Sequence, residues 1–520
     1  MKVVTVEEMR RLEQASEAAG VTTDALREHA GLAVARAARG LLGGAAGRRV
    51  VVLVGPGNNG GDGLVAARHL ARWGADVVAC LVARRRPPDP KADLALAAGV
   101  RLAPLETPSG SEELGRLLAW ADLAVDAVLG TGRARPLEGT VREAMVRLEE
   151  ARAARRLAVL ALDLPTGADA DSGAADPATP HADVTVTLGF PKVGLFHFPA
   201  AARVGRLEVA DIGMPPHLGE EVPLELLTAP RVASLLPPRP LEGHKGTFGR
   251  VLVAGGSRRY IGAVALAAQG AGRVGAGLVE VAAPASLQAV LAARVVEPVH
   301  LPLPEREGTV AGVAAELVLE AARGAQALLV GCGLGQSEGT RAFLRYLLEG
   351  LRDVPLVLDA DGLNNLAQTE GWSGLLRAPA VLTPHPGEMG RLAGLPVAEV
   401  NARRVEVARR YAREWGQTVL LKGAYSVAAA PDGRAAINPF ANPALASGGT
   451  GDVLAGAIAG LLAQGAGPYE AACAGMYVHA LAAERLRGRL GDAGLLAGDL
   501  PAELPAALRE VRGVGVSRGA

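Results

Sequence analysis

Residues 49–63 read Arg49-Val-Val-Val-Leu-Val54 followed by Gly55-Pro-Gly-Asn-Asn-Gly-Gly-Asp-Gly63. The first six residues form an apolar run typical of a buried strand, and the glycine-rich segment predicts a turn into an amphipathic helix that ends near Trp73. Similar apolar runs, most followed by Gly or Pro, lie at 75–82, 121–129, 157–162 and 184–188. This alternation predicts a doubly wound parallel α/β sheet that binds ligands at the carboxyl ends of its strands.

A second α/β series follows a proline-rich stretch that ends with Pro237-Pro-Arg-Pro240. It begins at Gly249, and its further strands are predicted at 327–330, 356–358, 381–382 and 419–421. A chain of 520 residues is too long for one ordinary core. We therefore predict two domains, 1–214 and 224–508, with a linker at 215–223 and a tail at 509–520.

Composition argues against several classes of protein. The 54 basic and 54 acidic residues cancel, so no nucleic-acid partner is expected. No apolar run reaches about eighteen residues, so no membrane span is expected. The three cysteines, Cys80, Cys332 and Cys473, lack disulfide or metal spacing. That pattern is typical of a reducing compartment, and we expect a cytoplasmic protein.

Lysine is scarce in this chain. Only five of the 54 basic residues are Lys, and three of these, Lys192, Lys245 and Lys422, lie in glycine-bearing motifs. A lysine kept where arginine is otherwise preferred is a candidate for a compact charge or a titratable amine. Chance survival under a bias for arginine is the alternative explanation.

Three predicted strand ends in the first domain carry polar loops. After the first strand, Asn58, Asn59 and Asp62 add side-chain oxygens that suit ribose hydroxyls or a monovalent cation beside a backbone phosphate cradle. Asp126 and Asp163 follow two further strands. One such aspartate is as often a helix cap as a catalyst, but three loops with an aspartate each favour a ligand site.

Four motifs in residues 1–214 together resemble the NAD(P)H-hydrate epimerase domain: Asn58-Asn-Gly-Gly-Asp62, Asp126 with Gly130-Thr-Gly132, Leu162-Asp-Leu-Pro-Thr-Gly167, and Phe190-Pro-Lys192. The resemblance implies a K⁺ ion held by Asn59, Asp126 and Thr166, the last often Ser in the family. On this basis we predict that Asp163 and Lys192 move protons while the hydroxyl at C6 of the hydrated nicotinamide ring changes face. The resemblance also implies that the hydrated nucleotide contacts Asn58, Asn59, Gly60, Gly61, Asp62, Gly130, Thr131, Gly132, Arg133, Ala134, Arg135, Pro136 and Asp163.

The richest glycine turn of the second series is Asn442-Pro-Ala-Leu-Ala-Ser-Gly-Gly-Thr-Gly-Asp452, which leads directly into an apolar helix. Such a turn aims backbone N–H groups at one point, and the helix N-terminus adds partial positive charge. A carboxylate beside this anion hole suits the removal of a proton during phosphoryl transfer. A loop that merely closes a βα unit is the plainer interpretation, but Asn442 and Asp452 favour a functional one.

A second candidate is His385, in Thr383-Pro-His-Pro-Gly-Glu388. A capping histidine in the core is one interpretation. The position between two prolines, with Glu388 three residues later, favours a role facing the ligand.

Together these two motifs resemble the ADP- or ATP-dependent NAD(P)H-hydrate dehydratase, a ribokinase-like fold, over residues 224–508. Two positions depart from that family, since Cys332 stands where proline is usual and Tyr425-Ser426 replaces a smaller pair. The resemblance implies Mg²⁺ and ADP, with Ala263, Gly333, His385 and Asp452 facing the hydrated nucleotide and Lys422, Gly423, Ala424, Tyr425, Ser426, Gly449, Thr450 and Gly451 facing ADP.

The function predicted is therefore a fused repair enzyme, which interconverts R- and S-NAD(P)HX and dehydrates the S form to NAD(P)H with ADP. Its partners would be NADHX, NADPHX and ADP, and we expect a homo-oligomer. One alternative is a vitamin or sugar kinase with a regulatory first half. Another is a nucleotide-binding scaffold, against which the carboxylates of Asp163 and Asp452 argue.

Overall fold

The computed structural model describes residues 1–131, 136–155 and 157–516. The chain divides into two compact units, Met1–Val222 and Pro223–Ala520. Each unit has its own sheet, with helices packed against it. Both are α/β, as the alternation of apolar runs and glycine turns predicted.

The first unit contains a seven-stranded sheet in the order β3-β2-β1-β4-β5-β6-β7, with every neighbouring pair parallel. This confirms the predicted doubly wound parallel sheet. The strands are β1 Arg49–Val54, β2 Asp76–Leu81, β3 Arg101–Pro104, β4 Leu123–Ala127, β5 Ala158–Leu162, β6 Val184–Leu188 and β7 Arg206–Ala210.

Two cores flank this sheet, because successive side chains of a strand point to opposite faces. On β1, Val50, Val52 and Val54 belong to one core, while Val51 and Leu53 belong to the other. The first core includes side chains of α2 and α3, and the second includes those of α5 and α6. The helices are α1 Val6–Ala18, α2 Thr23–Leu41, α3 Asn58–Arg72, α4 Pro90–Ala97, α5 Gly110–Trp120 and α6 Gly139–Arg155.

The amino-terminal residues are tied to the loop that follows β6. Val4 N–H donates to the carbonyl of Pro191 at 3.0 Å, and Val193 N–H donates to the carbonyl of Val4 at 3.0 Å. Val3 and Val4 are completely buried. These two hydrogen bonds flank Lys192 and fix the backbone on both sides of it.

The first unit extends into the residues that were expected to form a linker. Pro216–Gly219 forms a 3₁₀ turn, Leu218 packs against the first core, and Val222 is buried within it. Proline at the first position of a helical turn stabilises that turn, so proline content alone did not indicate an extended linker here. At the other end, the last helix runs to Val516, through most of the expected tail.

The second unit contains a mixed ten-stranded sheet in the order β11-β10-β9-β14-β15-β16-β17-β18-β19-β8, and a separate hairpin of β12 and β13. Within the ten-stranded sheet, the β17–β18 and β18–β19 pairs are antiparallel, and the other pairs are parallel. The strands are β8 Leu224–Leu226, β9 Arg250–Ala254, β10 Leu278–Pro284, β11 Val299–Leu303, β12 Glu305–Arg306, β13 Thr309–Val310, β14 Ala327–Val330, β15 Leu356–Leu358, β16 Ala380–Leu382, β17 Thr418–Leu421, β18 Val427–Ala429 and β19 Ala435–Ile437.

Twelve α-helices lie among the described residues of this unit, and α8 and α16 approach each other closely. A Cβ atom placed on Gly456 would lie 1.9 Å from the carbonyl oxygen of Ala267, so only glycine permits this contact. No helix in the described ranges is both long enough and apolar enough to span a membrane. The helices are α7 Ala229–Leu235, α8 Ile261–Arg273, α9 Gln288–Arg294, α10 Ala314–Ala322, α11 Glu338–Gly350, α12 Asp361–Leu366, α13 Pro386–Ala393, α14 Val397–Ala402, α15 Arg404–Trp415, α16 Thr450–Ala463, α17 Pro468–Leu490 and α18 Leu500–Val516.

Candidate active sites

The first unit has a cavity of about 570 Å³ at the carboxyl ends of its central strands. Its walls come from α1 and α2 and from the loops that follow β1, β4, β5 and β6. Several predicted site residues line it together, including Asn58, Asn59, Asp62, Gly130, Thr131, Asp163 and Lys192.

Asp163 and Lys192 form a buried ion pair in this cavity. Lys192 is 1% exposed, and its Nζ donates to Asp163 Oδ1 at 2.6 Å and to the carbonyl of Leu188 at 3.0 Å. Asp163 also accepts hydrogen bonds from Thr187 Oγ1 and Leu188 N at 3.2 Å. Its φ of 71° is in the left-handed region, where a residue other than glycine is strained. The fold therefore holds this carboxylate against the amine at a backbone cost, and the pair can exchange a proton.

Gly130 separates Asn59 from Asp163 at the floor of the cavity. A Cβ atom placed on Gly130 would lie 3.0 Å from Asn59 Oδ1 and 3.4 Å from Asp163 Oδ2. Asn59 Nδ2 donates to the carbonyl of Leu162 at 3.3 Å, which turns Oδ1 toward that space. The loops that were predicted separately thus meet at one point.

Asp126 and Thr166 lie behind this point and are completely buried. Asp126 accepts from Thr166 Oγ1 at 2.7 Å, Thr166 N at 2.8 Å and Val128 N at 3.3 Å. Burial raises the pKa of the Asp126 carboxyl, although these hydrogen bonds oppose the shift. No ion pair to Asp126 is present within the described ranges, so its negative charge lacks a cation. The oxygen donors of Asn59, Asp126 and Thr166 fit K⁺ at this position.

Two more acidic groups face the cavity. Asp62 is 6% exposed, its Oδ1 has no hydrogen-bond partner among the described residues, and burial raises its pKa to about 7 against the opposing charges of Arg27 and Lys91. Burial also raises the pKa of Glu13, and the positive charge of Lys192 opposes that shift. Sequence reasoning missed Glu13, because nothing in α1 itself indicates that it packs beside loops far along the chain.

The remaining predicted contacts of this site differ in placement. Gly60 and Gly61 lie in the first turn of α3, where a Cβ atom on Gly60 would collide with the carbonyl of Gly55 at 2.0 Å. Pro136 is exposed and is not among the residues lining the cavity. Gly132, Arg133, Ala134 and Arg135 lie outside the described residues.

In the second unit, the predicted anion hole is present at the start of α16. Gly449 has a φ of 93°, which glycine adopts readily, and precedes the helix that begins at Thr450. The N–H groups of Gly448, Gly449 and Gly451 donate no hydrogen bond within the described part of the chain. They are thus available to an anion.

Asp452 lies beside this turn and is surrounded by Cys332, Asp359 and Lys422. Burial raises the pKa of Asp452 to about 7, and the nearby Asp359 carboxylate adds to the shift. A hydrogen bond from the Cys332 thiol and the charge of Lys422 oppose it. Lys422 forms ion pairs with Asp359 and, at 3.9 Å, with Glu388, rather than with Asp452. Asp359 also accepts from Thr383 Oγ1 at 2.8 Å.

Three side chains of this cluster are of types that can bind a metal ion. Cys332 Sγ and carboxylate oxygens of Asp359 and Asp452 lie within 4.8 Å of one another. The Lys422 ammonium already pairs with Asp359 and supplies the positive charge that a cation would bring. The three side chains therefore do not fit a cation site of their own, and any Mg²⁺ there would be carried by nucleotide phosphates.

His385 has features of both interpretations that the sequence left open, because it caps a helix and part of its side chain is exposed. It caps α13, because its Nδ1 accepts from Gly387 N at 3.0 Å and Glu388 N at 3.3 Å, and its side chain is still 52% exposed. Burial and the charge of Lys422 lower the pKa of His385. The neutral ring thus carries its proton on Nε2, 3.4 Å from Glu388 Oε1, whose pKa burial raises to about 7.

The other predicted contacts of the hydrated nucleotide lie nearby. A Cβ atom placed on Gly333, after β14, would lie 2.8 Å from Cβ of Ala263 in α8. His385 follows β16, and Asp452 is in the first turn of α16. The structure therefore brings all four residues to the carboxyl edge of the central strands.

The predicted ADP contacts form the turn between β17 and β18 and the start of α16. Tyr425 has a φ of 52°, and its N–H donates to the carbonyl of Phe440 at 3.0 Å, which places this turn beside the loop leading to Asn442. Ser426 Oγ closes the turn by bonding Gly423 O at 2.8 Å. Gly423 and Ala424, which have the smallest side chains of the turn, are its exposed residues.

Two side chains of that set, those of Lys422 and Thr450, bond to other groups of the protein. The Lys422 ammonium points to Asp359, beneath Gly451, where a Cβ atom would lie 3.4 Å from Nζ. The Thr450 hydroxyl donates to the carbonyls of Leu445 and Ser447, each at 3.0 Å. Buried His479, which sequence reasoning missed, bonds the Thr450 carbonyl through Nε2 at 3.0 Å and supports the turn from below.

Comparison with known proteins gives matches over both units. Residues 251–506 match a family described as NAD(P)H-hydrate dehydratase, and residues 23–194 match the YjeF-related protein N-terminus. The bifunctional NAD(P)H-hydrate repair enzyme Nnr of Moorella thermoacetica is 41% identical over 98% of this chain and 97% of its own length. The enzyme of that name from Escherichia coli K12 is 35% identical over 95% and 91%.

Among solved structures, the ADP/ATP-dependent NAD(P)H-hydrate dehydratase of Bacillus subtilis, co-crystallised with ATP and Mg²⁺, is 32% identical to the matching part of this chain. The match covers 55% of this chain and 98% of the bacterial protein, with a TM-score of 0.48.

Proposed function

The chain belongs to the family of bifunctional NAD(P)H-hydrate repair enzymes, and from that premise we propose which residues perform each reaction. Asp163 and Lys192 epimerise the hydrate in the first unit, and Asp452 activates it for dehydration in the second. The observation that carries the proposal is the contrast between a buried Asp–Lys pair in one cavity and an Asp beside unpartnered amides in the other.

Epimerisation needs a proton donor and a proton acceptor at one carbon. The C6 hydroxyl is next to the ring nitrogen, whose lone pair can expel it as water once it is protonated. Lys192 supplies that proton, and the carbon becomes planar. Water then adds to the opposite face and gives a proton to Asp163. Because Asp163 Oδ1 and Lys192 Nζ lie 2.6 Å apart, the proton returns to the lysine and the pair is restored.

Dehydration begins from a hydroxyl that is a poor leaving group. Asp452 takes the hydroxyl proton as the terminal phosphoryl of ADP reaches the oxygen, and AMP departs. The amides of Gly448, Gly449 and Gly451 stabilise the charge on the transferred group. Mg²⁺ on the nucleotide phosphates would supply further charge neutralisation. The ring nitrogen then expels phosphate, and the resulting iminium ion loses a C5 proton to water, which restores the dihydropyridine.

An assay with hydrated NADH tests the proposal. The S epimer is incubated with ADP and, in parallel, with ATP, and absorbance of the dihydronicotinamide band is followed. We expect restored absorbance and release of AMP and phosphate with ADP. A stable phosphorylated product would identify the vitamin or sugar kinase instead, and no turnover would favour the scaffold.

K⁺ in the first unit is part of the proposal, held by Asn59, Asp126 and Thr166. Its support is the buried Asp126 carboxylate, which has no cation partner among the described residues. Thermal unfolding in KCl and in tetramethylammonium chloride at equal ionic strength tests it. We expect a higher Tm in KCl, and an Asp126→Asn variant should lose the difference. An equal Tm in both salts would remove K⁺ from the site.

We also propose a cytoplasmic homo-oligomer. Three buried, free cysteines are consistent with a reducing compartment. In the second unit, β11 is an edge strand, and Val299 on it and the nearby Val296 are 51% and 78% exposed. Light scattering of the purified chain measures its mass directly, and a monomer would contradict the proposal.

A further inference from the structure

A second cavity of about 600 Å³ lies in the second unit, apart from every residue assigned above to a reaction. It is formed by the loop after β9, the β12–β13 hairpin, the loop after β14 and the first residue of α12. Its polar lining includes Ser257, Arg258, Arg259, Thr309, Gln336 and Asp361.

Arg258 and Arg259 bring two cationic side chains to the lining of this cavity, beside the acidic side chains of Asp361 and Glu307. Neither guanidinium has a carboxylate within ion-pair distance among the described residues, although many arginines of the chain are paired. Asp361 lines the same cavity, but its carboxylate accepts from Gly335 N at 2.9 Å, Gln336 Nε2 at 3.0 Å and Asn364 Nδ2 at 3.3 Å. Glu307, Arg258 and Arg259 are all exposed to solvent, which screens their charges to a similar extent.

The cavity also contains an unsatisfied polar group. Ser257 is 2% exposed, and its hydroxyl has no hydrogen-bond partner within the described ranges. Leaving a buried hydroxyl without a partner costs about 1–3 kcal/mol, so such groups usually serve a ligand or a water molecule. A hydroxyl donor, two guanidiniums and a glycine loop in the lining of one cavity are a suitable set for phosphate oxygens.

The backbone of this cavity is held in place before any ligand arrives. Arg258 N–H donates to the carbonyl of Gly308 at 2.8 Å, and Tyr260 N–H donates to the carbonyl of Ser257 at 2.9 Å. Gly308 has a φ of 78°, and a Cβ atom there would lie 2.6 Å from Cβ of Arg258. The hairpin is therefore clamped onto the loop that carries both arginines.

Tyr260 joins this cavity to the proposed dehydratase site. It lines the cavity and is 45% exposed. A Cβ atom on Gly333 would lie 2.7 Å from the carbonyl oxygen of Tyr260 and 2.8 Å from Cβ of Ala263. Since Gly333 and Ala263 are the predicted contacts of the hydrated ring, a ligand that extends from that ring past Tyr260 enters the cavity.

We propose that this cavity binds the phosphate-bearing adenosine half of the hydrated dinucleotide, with Arg258, Arg259 and Ser257 contacting phosphate oxygens. The inference rests on the proposed dehydratase function. Two phosphate groups satisfy its chemistry: the pyrophosphate, present in both hydrates, and the 2′-phosphate, present only in hydrated NADPH. The pyrophosphate joins the two halves of the dinucleotide and the 2′-phosphate lies on the adenosine ribose, so neither is attached to the reacting ring.

The test compares an Arg258→Ala/Arg259→Ala double variant of the full chain with the parent. KM and kcat are measured for the S hydrates of NADH and NADPH at saturating ADP, and KM for ADP is measured separately. We expect KM for the hydrate to rise about 10- to 100-fold, since charged hydrogen bonds to phosphate are lost. kcat should change less than about threefold, because these groups lie away from the reacting carbon. KM for ADP should be unchanged.

The two substrates identify the phosphate. An equal rise in KM for both hydrates assigns the pyrophosphate, and a rise for hydrated NADPH alone assigns the 2′-phosphate. Arg345→Ala, on the exposed face of α11 where Arg345 pairs with Glu349, is the matched control and should leave both KM values unchanged. Parent KM values for both hydrates in the double variant would overturn the inference while the dehydratase function stands. A parent chain that dehydrates neither hydrate would instead refute the function itself.

Discussion

The two sites use the same residue types in different arrangements. In the first unit, Asp163 pairs directly with Lys192, and almost no side-chain surface of the lysine reaches solvent. In the second, Lys422 pairs with Asp359, and Asp452 is left next to a thiol and a set of free amides. A carboxylate with a directly bonded ammonium can trade one proton back and forth. A carboxylate that lacks one, with its pKa raised to about 7, is poised to accept a proton and release it to solvent.

The strongest test of this contrast is Asp452→Asn. The amide cannot take a proton, so dehydration should fall by about 10²–10⁴-fold. Epimerisation in the same preparation should stay within about twofold of the parent, which controls for protein concentration and for the first unit. The urea unfolding transition of the variant controls for folding of the second unit. The two rates are measured by absorbance recovery and by conversion of the pure R epimer. Dehydration at the parent rate would show that Asp452 is not the base.

Breaking the direct pair should affect both activity and stability of the first unit. Lys192→Met leaves the buried Asp163 carboxylate without its cation, which typically costs about 3–5 kcal/mol. We expect the free energy of unfolding, measured in urea, to fall by about that amount and epimerisation to fall at least about 10²-fold.

Two related variants separate these effects. Asp163→Asn/Lys192→Met removes both charges and should recover much of the lost stability while epimerisation stays low. Asp163→Asn alone should also stop epimerisation while the unit remains folded. Full epimerase activity in Asp163→Asn would remove Asp163 from the mechanism.

The pH dependence of dehydration sharpens the comparison further. Asp452 must be ionised to act as a base, and its pKa is raised to about 7, so kcat should rise with pH and level off above about 8. The Cys332 thiol donates to the ionised carboxylate and lowers this pKa. Cys332→Ala should therefore move the midpoint upward by up to about one unit. Cys332→Ser, which keeps a donor, should move it less; an unchanged midpoint in Cys332→Ala would show that the thiol does not tune the base.

The effect expected from Asp62 is smaller and concerns stability. Stability falls as pH rises, whereas the rate of dehydration rises with pH. Its pKa is raised to about 7, so the folded state binds a proton that the unfolded chain has already lost. Stability should therefore fall as pH rises from about 4 to about 7. Asp62→Asn removes the ionisation and should raise the free energy of unfolding by about 1–2 kcal/mol at pH 8, with little change at pH 4. Differential scanning calorimetry at both pH values measures this, and an equal change at both would contradict it.

Much of the fold could be predicted because central parallel strands are continuous apolar runs. β1 and β5 have this pattern, and the family models confirm the predicted fusion of an epimerase domain and a dehydratase domain. The strands β18 and β19 were missed, because each has three residues and is rich in alanine, which has little strand preference.

The sites were predictable to a smaller extent. Glycine turns after strands can be recognised from the local sequence, so Asn59, Asp163 and Asp452 could be named as candidate site residues. The partners of Asp452 could not, since Cys332 and Asp359 come from separate strands and meet it only through the sheet order. Glu13 and His479 lie on helices whose packing against the loops is a long-range property of the fold.

The bridge between Val4 and the loop of Lys192 has a consequence for biosynthesis. Val4 is synthesised long before the backbone groups that it bonds, on Pro191 and Val193, which are made only when nearly the whole first unit has been translated. At about 5–20 residues per second, this interval is on the order of ten seconds or more. The nascent segment around Val4 must therefore wait that long for these partners, and the backbone on both sides of Lys192 cannot be fixed by it before then.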